Sequence, residues 1–298
     1  MLGYILLYVL ALINIFQIAA KIHLQPRNGH GAVQLDLLVI LLIEISPTQV
    51  APPFKALFQP RDPAGLRCLA VLAGIRSGKI LVDDPQNPKW LVVYENTFGT
   101  IYPGGEIGTA LLFEIITRLR SEKMVLLGLW SDDPRWELIP SEYDYEGRVL
   151  DFYDRARDGR LKKFINQMPE GCELRPVSAD LIERSINRDA HFSGYPNHEA
   201  ASSDLTGFFL MKADEILCEA LAGPMVLGTR EMGVDTPESY RQRGYATITC
   251  AKLIDTCEQQ GLQTYWNCNK TNTASMKLAR NLGYQTQKEY KLVAWYQK

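Results

Sequence analysis

The stretch Glu231-Met232-Gly233-Val234-Asp235-Thr236-Pro237-Glu238-Ser239-Tyr240-Arg241-Gln242-Arg243-Gly244-Tyr245-Ala246-Thr247 decides how the rest of this chain is read. A strand ends, a short turn follows, and a helix opens at about Gly244. The first amides of a helix have no intrahelical partner and carry the positive end of its dipole. Together they form an anion site, most naturally one for phosphate. Arg241 and Arg243 add cationic donors, Gly244 allows close backbone approach, and Ala246 keeps the next turn small. The bland alternative is a solvated arginine pair at a helix start.

Outward from this turn, the C-terminal half has a regular rhythm. Cys172–Val177 reads as a strand, and Ser178 caps a helix over Ala179–Ile186. Gly207–Lys212 and Ile216–Ala222 read as strands joined by a tight turn, with further strand at Met225–Leu227 and Glu231–Val234. Gly244–Gln260 carries the apolar stripe Ala246, Cys250, Leu253, Ile254, Cys257 and is predicted helical. A strand at Gln263–Trp266, a helix at Thr273–Leu282 stopped by Gly283, and a strand at Tyr290–Trp295 complete it.

Arg241-x-x-Gly244-x-Ala246, placed after a strand and opening a helix, resembles the acyl-CoA pyrophosphate signature of the GNAT N-acetyltransferases. Thr264-Tyr-Trp266-Asn267-Cys-Asn-Lys-Thr-Asn272-Thr-Ala-Ser275 follows about twenty residues later, and then Leu278-Ala279-Arg-Asn-Leu282-Gly283-Tyr284. This second segment resembles the family's other cofactor motif. The resemblance covers roughly Cys172 to Lys298. It implies an α/β (α+β) fold, a mostly antiparallel sheet flanked by helices and splayed open between its fourth and fifth strands. The implied activity is transfer of an acetyl group from acetyl-CoA, a cosubstrate, to a primary amine on a small molecule or protein.

Carried over residue by residue, the resemblance implies that backbone amides of Arg243, Gly244, Tyr245, Ala246 and Thr247 hold the pyrophosphate. Met232, Gly233 and Val234 would bond pantetheine through their backbone. Asn267 and Asn272 belong to the second motif, Asn272 also capping the last helix. Glu231 stands where several members keep a general base, or it is a solvated strand carboxylate. Where many members have a tyrosine as general acid, this chain has Ala279, which leaves a non-catalytic acyl-CoA-binding regulatory module as the alternative. Trp266 is read as core.

From Pro47 the first half also reads as mixed α/β. Ala64–Ile75 and Ile107–Leu119 have helical spacing, and Lys79–Val82, Trp90–Tyr94 and Met124–Trp130 read as strands. A second charged helix is expected over Glu146–Arg157, and a polar loop from Gly159 to Gly171. This divides the chain into an extension at 1–46, an N-terminal α/β domain at 47–165 and a GNAT domain at 171–298. Asp83-Asp84-Pro85 matches a turn in a two-domain subgroup of the family. Gly108-Thr-Ala-Leu-Leu…Leu129-Trp130-Ser131 reads like Tyr245-Ala-Thr-Ile-Thr…Tyr265-Trp266-Asn267, either a degenerate second copy or chance likeness of two helix–strand units. Glu106 before that first helix would repel pyrophosphate, so no cofactor is expected in that half.

Other readings are narrower. Gly74-Ile-Arg-Ser-Gly78-Lys79-Ile80 is one residue short of a P-loop and lacks its Ser/Thr, and no GxGxxG is present. Lys+Arg of 32 against Asp+Glu of 34 gives no global field for nucleic acid. Six cysteines without a CxxC pair suit reduced thiols in a cytoplasmic protein. Four histidines show no zinc spacing, so no metal is expected. Met1–Ala20 has no charged residue and is about long enough to span a bilayer, so membrane contact through residues 1–20 stands beside a dispensable extension. The run Leu37–Ile43 is too short to span and is expected to be buried or interfacial.

Overall fold

In the computed structural model the described residues are 41–50, 52–63, 65–121, 123–139, 141–195 and 197–297, with strand segments at 15–17, 21–22 and 37–38. The anchor or extension read over residues 1–20 therefore lies outside the described residues, apart from strand 15–17. No helix among the described residues is long and apolar enough to cross a membrane.

The first half contributes β1 (Leu41–Ile45), α1 (Gly65–Leu72), β2 (Gly78–Val82), β3 (Trp90–Glu95), β4 (Thr100–Gly105), α2 (Thr109–Arg120), β5 (Val125–Trp130) and β6 (Tyr145–Arg155). The second contributes α3 (Arg160–Ile165), β7 (Cys172–Pro176), α4 (Ala179–Glu183), α5 (Arg188–Ser193), α6 (His198–Asp204), β8 (Thr206–Lys212) and β9 (Glu215–Ala222). After these come β10 (Thr229–Asp235), α7 (Tyr245–Gln259), β11 (Gln263–Asn269), α8 (Thr273–Leu282) and β12 (Tyr284–Trp295).

One hydrogen-bonded sheet runs β1-β2-β3-β4-β5-β12-β6-β11-β10-β9-β8-β7, with the 15–17 segment beyond β1. The order reads alike from both ends. Four antiparallel strands wind to β4 or β10, a helix crosses over, and a parallel strand follows, β5 beside β4 and β11 beside β10. The sequence units α2–β5 and α7–β11 thus occupy equivalent places. The two last strands are exchanged: β12 lies against β5 of the first half, and β6 lies against β11 of the second. At the centre β6 and β12 pair antiparallel along ten positions, from Tyr284↔Arg155 to Ala294↔Tyr145.

Core residues follow the strand alternation. On one face, α1 buries Leu66, Leu69 and Val71 against β2 and β3. On the other, α2 buries Leu112, Ile115 and Ile116 against β5 and Trp295 of β12. In the second half, α7 and α8 bury Leu253, Ile254 and Leu282 against Phe152 and Trp266, while α4 packs Leu181 and Ile182 on Phe209.

Four sequence expectations are corrected. Glu146–Arg157 is the central strand β6, not a helix. Its charges at near-helical spacing obscure an alternation in which Leu150 and Phe152 face α7 while Asp151 and Tyr153 face α1. The polar run 159–171 contains α3, whose Leu161 joins the core under α7. Met225–Leu227 is a turn, held by one bridge between Val226 and Thr229, with positive φ at Leu227 and Gly228. The extension drawn to residue 46 gives way at 41 to β1, which pairs with β2 and buries Leu42 and Ile45.

Candidate active site

β10 and β11 are paired only from Thr229↔Gln263 to Glu231↔Tyr265. Beyond that point β11 turns its other edge to β6, and Met232–Asp235 keep a partner only in β9. The sheet therefore splits after Glu231, and the backbone of Met232, Gly233 and Val234 presents an unpaired edge to the split.

The chain leaves β10 through a short turn at Glu238–Tyr240 and enters α7 at Gly244, whose φ of 81° is left-handed. A side chain there would be strained, and a Cβ would meet nothing within 4 Å. The amides of Tyr245, Ala246 and Thr247 thus open into a cavity of about 810 Å³. Val234, Asp235, Arg241 and Asn272 share in lining it. Arg241 is held by its Nε donating to the Thr236 carbonyl at 3.1 Å. Asn272 caps α8, its Oδ1 accepting from the Ser275 amide at 3.0 Å. These donors, with open space at Gly244, fit an anionic diphosphate and an extended amide-bearing arm.

Two sequence candidates sit elsewhere. The Arg243 guanidinium lies over the Tyr240 ring, 5.8 Å from its centroid, and is not among the lining residues. Asn267 is not a lining residue either. Its Nδ2 donates to Asp151 Oδ1 at 2.6 Å and to the Tyr290 hydroxyl at 3.1 Å, inside the sheet. Tyr265 also donates to that Asp151 oxygen, at 3.1 Å. Burial dominates here and pushes the Asp151 carboxyl up to about 7. Trp266 is core, 1% exposed, as read.

A second cavity of about 350 Å³ flanks the same strand, with walls from both halves of the chain. The first half supplies Arg67, Arg76 and Phe98; the second supplies His191, Tyr195, Glu231 and Asp235. Glu231 is largely withdrawn from solvent and accepts a two-point hydrogen bond from Arg67, one arm at 2.9 Å. Burial pushes its carboxyl up, but the Arg67 charge and hydrogen bonds outweigh this and hold it below the usual carboxylate range. Behind them Arg76 Nε donates to buried Glu95 at 2.9 Å. Neither arginine was a sequence candidate. A lone arginine on the otherwise apolar α1 was the available signal, but its partner lies 164 residues away. Asp235 lines both cavities.

The family model for GNAT acetyltransferases matches residues 55–293. The chain belongs to the GNAT acetyltransferase family. Its match therefore takes in most of both halves, beyond the C-terminal segment that carries the motifs. An uncharacterized N-acetyltransferase of Bacillus subtilis, YdfB, is 28% identical over 220 residues, 72% of this chain and 84% of the relative. Among solved structures, a GCN5-related N-acetyltransferase-like protein of Streptococcus suis aligns with a TM-score of 0.56 at 23% identity, covering 72% of this chain and 88% of the other. A GCN5-related N-acetyltransferase of Sphaerobacter thermophilus aligns at 0.52 with 12% identity, covering 75% and 81%. At these identities the structures show a shared fold. Family and relative together make this GNAT protein an N-acetyltransferase, and its opened, mostly antiparallel sheet is the one the motifs implied.

Proposed function

We propose that the protein moves the acetyl group of acetyl-CoA to a primary amine. The diphosphate would rest on the α7 amides and Arg241, and the pantetheine arm would run along the free edge of Met232–Val234. One observation carries this reading: the two cavities lie along the same strand and meet at Asp235. A donor in the larger cavity and an acceptor in the smaller one are thus brought to a common point. In the reaction the amine nitrogen bonds the acetyl carbon, the C–S bond breaks, and CoA departs as thiolate. The amine must be neutral to attack, and Glu231, kept ionised by Arg67, takes its proton through water in the smaller cavity.

Ala279 supports a second reading, a non-catalytic acyl-CoA-binding regulator. It is fully buried in the core beneath α7 and has no proton to give a leaving thiolate. The six free cysteines support a cytoplasmic setting. Calorimetry with acetyl-CoA tests the cofactor site. Gly244→Asp places a carboxylate at the α7 amides and is expected to weaken binding by at least about tenfold. Wild-type affinity in that variant overturns the assignment. CoA release with a panel of primary amines separates the enzyme from the silent binder.

A further inference from the structure

Two guanidinium groups face the smaller cavity, and both are matched, Arg67 by Glu231 and Arg76 by Glu95. Two carboxylates are not: Asp235 in the lining, and Glu219 buried behind it. Glu219 of β9 and Asp235 of β10 are directly opposed in register. They share a face of the sheet with Leu221 and Glu231, which line the cavity. Among the described residues neither has an arginine or lysine at ion-pair distance. Glu219 is 1% exposed; its Oε1 accepts from Ser185 at 2.8 Å and lies 3.4 Å from His191 Nε2. Its Oε2 is buried without a hydrogen-bond partner. A buried carboxylate oxygen with no donor is costly unless a cation or donor arrives.

Asp235 is faced by Glu219 from β9, by His191 from α5, by the Asn187 side chain and by Arg241 beyond the turn. Burial, and then Glu219, push its carboxyl up. Counting the groups behind the lining as well, three guanidinium charges, those of Arg67, Arg76 and Arg241, stand against the four carboxylates of Glu231, Glu95, Glu219 and Asp235, an excess of one carboxylate. The rest of the lining includes the apolar side chains of Leu205, Leu221, Pro224 and Met232, with the half-exposed ring of Phe98.

We propose that Asp235, with the charge of Glu219 behind it, receives the ammonium group of the acceptor, and that the acceptor is a small primary amine on an apolar or aromatic body with no carboxylate. This deepens the acetyl-transfer reading and rests on it for the acceptor's role. A carboxylate on the ligand would find Arg67 and Arg76 both occupied and four carboxylates of its own sign. A volume of about 350 Å³ admits a small body, at the lower end for ligand pockets.

The test is calorimetry on the full chain, with acetyl-CoA in one titration and 2-phenylethylamine, phenylalanine and spermidine as separate probes of protein free of acetyl-CoA. The expected result is 2-phenylethylamine binding at least about tenfold more tightly than either of the others. Asp235→Asn should weaken it about tenfold or more, as for loss of a hydrogen bond to a charged group. Glu219→Gln should weaken it several-fold, with acetyl-CoA affinity and melting temperature unchanged. Phenylalanine binding as well as the amine, spermidine binding best, or no amine binding to protein that does bind acetyl-CoA each overturns the subsite and leaves the transfer reading standing. So does wild-type amine affinity in both variants. Failure to bind acetyl-CoA instead overturns the cofactor assignment, while the amine titrations still decide the subsite. If Asp235→Asn does not fold, the ranking of the three probes on the wild type is decisive.

Discussion

Arg67 on α1 and Glu231 on β10 are joined through two hydrogen bonds although 164 residues separate them, so one ion pair ties the two halves together at the split in the sheet. Both side chains are largely removed from water. Removing one partner of such a pair leaves an uncompensated charge, which costs about 3–5 kcal/mol when fully buried. Arg67→Met is therefore expected to lose about 3 kcal/mol of stability in urea unfolding, and Arg67→Met/Glu231→Leu to recover most of it. The folded-state carboxyl of Glu231 is lowered, so its stabilisation is present above the unfolded carboxylate pKa and fades as acid protonates it. The gap between wild type and Arg67→Met should narrow below about pH 4. A gap unchanged from pH 7 to pH 3 contradicts the account.

Asp151 has the opposite sign. Its folded-state carboxyl is raised to about 7, so the folded chain binds this proton more tightly than the unfolded one. That contribution is intact below about pH 4 and is lost as pH rises towards 7. Asp151→Asn keeps the oxygen that accepts from Asn267 and Tyr265 and carries no charge at any pH. Relative to wild type its stability is expected to improve between pH 5 and pH 8, by on the order of a few kcal/mol. Chemical denaturation at both values measures the difference, and a constant offset would refute the raised carboxyl.

Three tyrosines stand as replacements for the missing acid at Ala279, and the structure separates them. The Tyr284 hydroxyl donates to Thr264 Oγ1 at 2.7 Å in the core, and Tyr290 accepts from Asn267 beside Asp151. Burial pushes both phenols up, which makes them poor acids. Tyr245 alone of the three lines the larger cavity. The rate is expected to rise with pH through one ionisation and then stay flat. Tyr284→Phe should lower the melting temperature and leave that profile alone. An alkaline fall that Tyr245→Phe, Tyr284→Phe or Tyr290→Phe abolishes would identify a displaced acid.

The strand β1 makes a sharp prediction about truncation. Chains beginning at residue 41 and at residue 47 differ by Leu42 and Ile45, which are 1% and 5% exposed, and by the strand that covers the edge of β2. Burying two such side chains is worth about 3 kcal/mol or more. The shorter chain should unfold at lower urea by that amount and aggregate through the exposed β2 edge. Equal midpoints would remove β1 from the core.

What could be read from sequence was local. The turn into α7 is decided by consecutive residues: a left-handed Gly244, Arg241 three before it and a small Ala246 after it. The same holds for α8, where Asn272 and Gly283 bound the helix at the expected places. What could not be read depends on pairing at a distance. The charges of β6 imitate a helix face because nothing nearby reveals that β11 and β12 flank it. Asn267 belongs to a motif, but its amide is directed by Asp151, which lies 116 residues away. Arg243 matches the signature as well as Arg241 does, and only the position of the Tyr240 ring turns it aside.

The exchange of β6 and β12 also has a consequence in time. Synthesis proceeds from the N-terminus, and every strand through β11 is polymerised before residues 284–295 exist. Until then β5 has a bare edge, β6 lacks one of its two neighbours, and the seam that joins the halves is missing. Folding of the first half thus waits on residues 284–295, and a ribosome stalled just upstream of Tyr284 holds a nascent chain whose unpaired strand edges are exposed to other chains.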